Sequence, residues 1–369
     1  MKPSRRLLWS VLPLVIATLI GEGLARAWPP PDPRAPAKGD PGEILLHGNP
    51  WLLWELQPGD REEKGRAVHV NTLGFRDQAR GEKTRPRVLA VGDSSVYGFG
   101  VRDDEVFTSL LERRFDADFI NGAVPGYSTY QALNLLDMRG FALDPDVILV
   151  GNLWSDNNFD SFTDKDLLAT YAGWQASTSG LVRPLLARSA LFRWLDWTVR
   201  VAPRGAAARA VGWQVGGLDP RTGYRRVAVN DYAANLDAFC ERMEGRGGGV
   251  IFLLLANTED IDHLSAAPAW EVYRQAMRET AERHDAPLVD IPAAFQTSGR
   301  SADALFLDAM HPTAVGHDLI ADAVAQALTD RGWPERPLRV QTATDARPTY
   351  SDGFEGAGLG QGPPPTAAP

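Results

Sequence analysis

Three side chains in this sequence could together carry out acyl chemistry. Ser94 stands in Gly92-Asp93-Ser94, directly after the apolar run 88–91, and Asp308 and His311 stand three residues apart in Leu307-Asp-Ala-Met-His-Pro-Thr313. A serine hydroxyl is a weak nucleophile until a base takes its proton, and an imidazole does this best when a carboxylate holds it. The Asp-x-x-His spacing lets both side chains project from one loop, the carboxylate holding the imidazole and the imidazole free to reach a serine. Neither piece is decisive alone. Gly-Asp-Ser is also ordinary turn chemistry, and an isolated Asp-x-x-His is a common capping or surface pair.

What gives these residues weight is the set of elements around them. The run 88–91 has the apolar character of a buried parallel strand, so Ser94 falls at the carboxyl end of a strand just before a helix, where open α/β sheets bind ligands. Asp103 or Asp104 can cap a helix reaching about Phe115, with Val106, Phe107, Leu110 and Leu111 at helical spacing. Further apolar strands are predicted at 119–120, 146–150, 250–255 and 287–291. Between and after them lie predicted helices at 130–139, 231–244, 270–283 and 314–328. Such alternation predicts an α/β fold with a parallel sheet. Asp290 sits at a strand end remote in sequence from any histidine partner, and His317 reads as a packing residue; both are expected to be structural.

The stretch around Ser94 resembles the first signature block of the SGNH (GDSL) hydrolases, in which Gly-Asp-Ser carries the catalytic serine. Asn121-Gly-Ala-Val-Pro-Gly-Tyr-Ser-Thr-Tyr130 resembles the second block, and Asp308-x-x-His311-Pro312 matches the fifth. Asn71-Thr-Leu-Gly-Phe-Arg76 is similar to segments that precede the first block in many exported bacterial members, although the reading preferred for it is a lead-in hairpin packed on the sheet edge. The resemblance spans 87–328, interrupted by an insertion. It implies a three-layer α/β/α sandwich with a five-stranded parallel, flavodoxin-like sheet and a helical insertion. It also implies a Ser94–His311–Asp308 triad, an oxyanion hole that uses the backbone N–H groups of Ser94 and Gly126, and no metal or cofactor. The third block departs from the pattern. Asn-Asp is expected, but alignment on Asp156 puts Ser155 where the asparagine should donate, leaving Ser155, Asn157 and Asn152 as alternative third donors.

The rest of the chain sets limits. A net charge of −9 over 369 residues, with no basic run beyond the amino-terminal arginines, argues against a nucleic-acid partner. The single cysteine, Cys240, cannot form an internal disulfide. Lys2, Arg5 and Arg6 precede the apolar run 7–20, the pattern of an export signal. Ala25-Arg26-Ala27 offers a cleavage site, but the expectation is a signal anchor over 1–27, a transmembrane helix facing the domain into the periplasm, with secretion as the alternative. A Pro-rich linker is expected at 28–43, the hydrolase domain at 44–334, and a disordered tail at 335–369. Within the domain, 159–226 is expected to form a cap whose Trp174, Trp194, Trp197 and Trp213 either stack on sugar rings or make a small core of their own.

Three functions follow. The first is an envelope serine esterase removing O-acyl groups, chiefly acetyl, from a glycan or small ester. The second is an O-acyltransferase acting on a polysaccharide. The third is a catalytically decayed glycan-binding protein, to which the Ser155 substitution points.

Overall fold

The structure of the protein is a computed structural model. It describes residues 3–28, 46–49, 52–160, 163–165, 168, 189–196, 224–262, 270–343 and 345–351. The expected linker from 29 to 43 and most of the expected cap, including Trp174, Trp197 and Trp213, lie outside the described residues.

Five short strands build the central sheet: β1 (Arg87–Gly92), β2 (Asp118–Asn121), β3 (Val147–Gly151), β4 (Gly249–Leu254) and β5 (Leu288–Asp290). Their order is β5-β4-β3-β1-β2, and every pairing is parallel. This is the flavodoxin-like order expected from the sequence. β1, β2, β3 and β4 are buried along their whole lengths, which is why they read as continuous apolar runs rather than alternating ones. On one face the helix Ala314–Asp330 packs with Phe107–Glu112 and Ile291–Thr297; on the other, Val229–Glu244 packs with Glu271–Arg283 and Thr129–Leu135. Helix Val229–Glu244 buries Tyr232, Leu236, Phe239, Cys240 and Met243, a stripe at helical spacing that faces the sheet.

The sheet order also locates a site. The chain leaves β1 toward β2 on one side and returns to β3 on the other, so the crevice beyond the carboxyl ends of β1 and β3 is the switch point where such sheets bind ligands. Gly92 and Gly151 are paired at those ends. A side chain at Gly92 would collide with the Gly151 carbonyl and with Val96, so only glycine lets the strands stay this close.

Four expectations need correction or refinement. A helix does run over Pro3–Ala27, but among the described residues no helix is long and apolar enough to cross a membrane. The uninterrupted apolar part, 7–20, spans roughly 21 Å at 1.5 Å per residue, short of the ~30 Å hydrocarbon layer, and Glu22 and Arg26 end it. The helix expected to start at Asp103 is instead a 3₁₀ turn, Asp103–Glu105, followed by Phe107–Glu112. Asp103 does not cap it because its carboxylate accepts from Arg76 and from the His69 N–H. The hairpin ahead of the domain forms from Gly59–Glu63 and Arg66–Val70 as a separate two-stranded sheet. Finally, residues 335–343 and 345–351 of the expected disordered tail pack on the domain. Leu338 and Val340 are buried, Gln341 accepts from His284, and Arg347 reaches Asp237 over 3.0 Å.

Candidate active site

The carboxyl end of β1 turns sharply into a single helical turn, Ser94–Tyr97, capped by Asp93. The Asp93 carboxylate accepts from the Ser95 N–H at 3.0 Å and, through its other oxygen, from the Trp154 N–H at 3.1 Å and the Leu153 N–H at 3.4 Å. One buried side chain therefore ties the loop after β1 to the loop after β3. Burial pushes the Asp93 carboxyl up to about 6, opposed by those N–H groups.

The loop between the short helix Ala302–Leu305 and the helix Ala314–Asp330 brings the other two residues in. Asp308 Oδ1 accepts from the N–H groups of Met310 and His311, both at 3.0 Å, which curls the loop onto its own carboxylate. Asp308 Oδ2 lies 2.7 Å from His311 Nδ1, and His311 Nε2 lies 2.7 Å from Ser94 Oγ. Partial burial works against the Asp308 charge, but the imidazole and the two N–H groups hold its pKa down to about 2. An ionised carboxylate only accepts, so Nδ1 carries the ring hydrogen and Nε2 is left to take the proton of Ser94. The Phe99 ring lies 4.7 Å from the imidazole, centroid to centroid, and walls one side of it.

The residues expected at the oxyanion hole are less uniform. Gly126 has φ +79°, a left-handed conformation that side chains disfavour, in the turn closed by Tyr127 N–H to the Val124 carbonyl. Neither the Gly126 N–H nor the Ser94 N–H donates to any described residue. Of the three alternative third donors, Asn157 is engaged by Arg225, and Asn152 is fully buried with its amide donating to the Tyr127 carbonyl at 3.1 Å. Ser155 is buried in the turn that Asp93 holds, and its hydroxyl bonds to no described residue. Asp290 caps the helix Ile291–Thr297 away from the triad. His317 is fully buried against Phe107, and burial lowers its pKa to about 3, so it is neutral packing.

Several supporting residues went unnoticed in the sequence. Ser95 Oγ donates to the Met310 carbonyl over 3.0 Å, pinning the histidine loop to the Ser94–Tyr97 turn. Arg76, buried at the end of the lead-in segment, donates to the carbonyls of Tyr97, Gly98 and Val101 and pairs with Asp103 at 2.7 Å. It thereby fixes the chain leaving the Ser94–Tyr97 turn. Such donors act on backbone carbonyls, which carry no side-chain signature, so spacing could not reveal them; only the buried arginine in Gly74-Phe-Arg76 offered a hint.

Residues 155–319 match the model of the GDSL-like Lipase/Acylhydrolase family, a region that includes Asp308 and His311 and begins after Ser94. Similar solved structures include LAE5, an alpha/beta hydrolase enzyme from the metagenome of Lake Arreo, Spain, at 20% identity and a TM-score of 0.44, covering 68% of this chain and 97% of that one. A lipase/acylhydrolase from Enterococcus faecalis is similar at 15% identity and 0.43, covering 67% and 96%. Axe2, an acetylxylan esterase from Geobacillus stearothermophilus, is similar at 14% identity and 0.43, covering 70% and 98%. No curated protein matches the sequence. The matched region runs through the histidine loop into the helix behind it, so residues 155–319 of this chain form a region similar to the GDSL-like lipase/acylhydrolase family.

Proposed function

We propose that this protein is an esterase that cleaves O-acyl esters, acetyl foremost, from a glycan or small ester of the cell envelope, with Ser94, His311 and Asp308 as its triad. The observation that carries the reading is the relay of two 2.7 Å contacts running from Asp308 through His311 to Ser94. His311 Nε2 takes the hydroxyl proton as Ser94 Oγ attacks the ester carbonyl. The N–H groups of Ser94 and Gly126, with the Ser155 hydroxyl as third donor, receive the developing oxyanion. His311 then returns its proton to the leaving alkoxide, and water, activated by the same imidazole, releases the acyl group from Ser94. Export directed by the segment Arg5-Arg6 and 7–20 places the domain in the envelope in this proposal.

The test is hydrolysis of p-nitrophenyl esters from acetyl to octanoyl, together with fluorophosphonate labelling. Ser94→Ala and His311→Ala should each lower kcat by about 10⁴-fold or more with an unchanged circular dichroism spectrum, and the label should attach at Ser94. Full turnover in either variant would remove the assignment, and a preference for long chains would remove the acetyl part alone. Ser155→Ala should cost up to about 10²–10³ in kcat if its hydroxyl donates to the oxyanion. Adding a polysaccharide acceptor and recovering acylated polymer instead of free acid would convert the esterase reading into an acyltransferase one.

A further inference from the structure

Three successive carbonyls in the Gly126 turn are each held by a side chain from a different part of the chain. The Pro125 carbonyl accepts from the Trp54 indole Nε1–H at 3.1 Å, the Gly126 carbonyl from Arg226 Nη1 at 2.8 Å, and the Tyr127 carbonyl from the Asn152 amide at 3.1 Å. The first of these matters most. The Pro125–Gly126 peptide is trans and planar, so its C=O and its N–H point in opposite directions. Holding the Pro125 oxygen on one side aims the Gly126 N–H to the other. The second bond fixes the next peptide plane, so the two planes flanking Gly126 are both clamped. This restraint falls on the residue whose left-handed φ and missing side chain leave it the least restrained by its own chemistry.

The two clamping residues form one unit. The Arg226 guanidinium lies over the Trp54 ring, 5.5 Å from its centroid. Arg226 is also paired with Asp164 through two bonds, 3.0 and 2.7 Å, with both side chains buried, and it donates to the Gln131 side chain at 2.9 Å. Gln131 in turn donates to the Leu52 carbonyl at 2.7 Å, and the Tyr127 hydroxyl donates to the Trp54 carbonyl at 2.6 Å. The chain before the first sheet strand, the Gly126 turn and both ends of the 159–226 insertion therefore meet in one closed network.

We infer that Trp54 and Arg226 are positioning residues for the oxyanion hole, setting the direction of the Gly126 N–H through the carbonyls of Pro125 and Gly126. The inference rests on the esterase reading above, since it gives that N–H its task. It extends that reading to two residues that touch no substrate and that lie on segments flanking the core α/β unit.

Steady-state hydrolysis of p-nitrophenyl acetate by the full chain, with inhibition by a trifluoromethyl ketone, tests it. Trp54→Phe removes the indole N–H but keeps a ring beneath Arg226; Arg226→Lys keeps the charge but cannot serve Asp164, Gln131 and Gly126 together. Each should lower kcat about 10-fold, below the 10²–10³ that losing an entire oxyanion donor costs, with KM changed less than about two-fold. The ketone's inhibition constant should rise by the same factor as kcat/KM falls, because its tetrahedral adduct uses the same donors. The double variant should lose less than the product of the two, since both act on one turn. Folded variants that melt lower but keep kcat and ketone affinity would show a merely structural role and overturn the inference. Should Arg226→Lys fail to fold, Trp54→Phe decides alone. A wild-type chain that neither hydrolyses the ester nor takes a fluorophosphonate label would instead sink the esterase reading, and this inference with it.

Discussion

The hydroxyl of Ser95 bonds to neither Ser94 nor His311, yet it ties together the two segments that carry them. Its bond to the Met310 carbonyl joins the turn carrying Ser94 to the loop carrying Asp308 and His311. Ser95→Ala should lower kcat by about 2- to 10-fold, the worth of one such hydrogen bond of roughly 0.5–1.5 kcal/mol. Fluorophosphonate labelling of Ser94 should slow by the same factor, because both reactions need the imidazole in place; an unchanged labelling rate would show that the histidine loop holds itself. The convergence of Ser94, Asp308 and His311 was legible in the sequence because a hydroxyl–imidazole–carboxylate relay demands particular side chains at particular spacings. Ser95, Arg76, Trp54 and Arg226 were not. Each acts by donating to a main-chain oxygen, and any chain position offers such an oxygen, so neither partner nor distance is written in the local sequence.

Glu22 plays a part in the structure that its place in the sequence does not announce. In the sequence it is a charge interrupting an apolar helix; in the structure it joins that helix to another. Its carboxylate accepts from the Ser189 hydroxyl at 2.7 Å and from the N–H groups of Ala190 and Leu191, both at 2.9 Å, at the start of the helix Ala190–Asp196. The Leu191 N–H foremost, with Ser189 and Ala190, lowers the Glu22 pKa to about 2. Glu22→Ala should therefore speed hydrogen exchange at the Ala190 and Leu191 amides several-fold while exchange within β1 and β3 stays as it was. Equal protection in the variant would show that the two helices are held by apolar contact alone. The five sheet strands were legible as apolar runs, and for β1 to β4 this is because strands buried along their whole lengths leave no alternation to interpret. The start of the helix after Ser94 was not, because Asp103 is drawn to Arg76, which is distant in sequence.

The molecule as a whole should be most stable in mild acid. Burial raises the Asp156 carboxyl to about 7 and the Asp93 carboxyl to about 6, both above the unfolded value of 3.8. Burial pulls the His284 imidazole down, but its bonds to Asp237 and to the Gln341 carbonyl outweigh this and raise it. In each case the native state holds a proton that the unfolded chain gives up, so stability falls as pH rises, from about 4 to about 7 through the two carboxyls and above about 6.5 through His284. The lowered carboxyls of Asp308 and Glu22 act in the opposite sense below about pH 4.5, and the lowered imidazole of His317 opposes the trend between about pH 3 and 6.5 without cancelling the two raised carboxyls. Urea midpoints should accordingly be higher at pH 5 than at pH 8, and Asp156→Asn should narrow the difference; a midpoint that rises with pH would contradict this. At this scale the alternation of strands and helices made the parallel sheet legible, and the family resemblance supplied its order. The packing of residues 335–343 and 345–351 was not legible, because a segment without periodicity holds on through scattered partners such as Asp237 and Glu279 that local pattern cannot link to it.

The chain is fastened where it enters and leaves the stretch after β3. Phe159–Asp160 and Tyr224–Arg225 pair as antiparallel strands, and Asp164 and Arg226 lock just beside them, so the chain leaves and re-enters the domain through a single fastened doorway. Because Arg226 serves both this doorway and the Gly126 carbonyl, any change that unfastens the doorway is carried straight to the Gly126 turn.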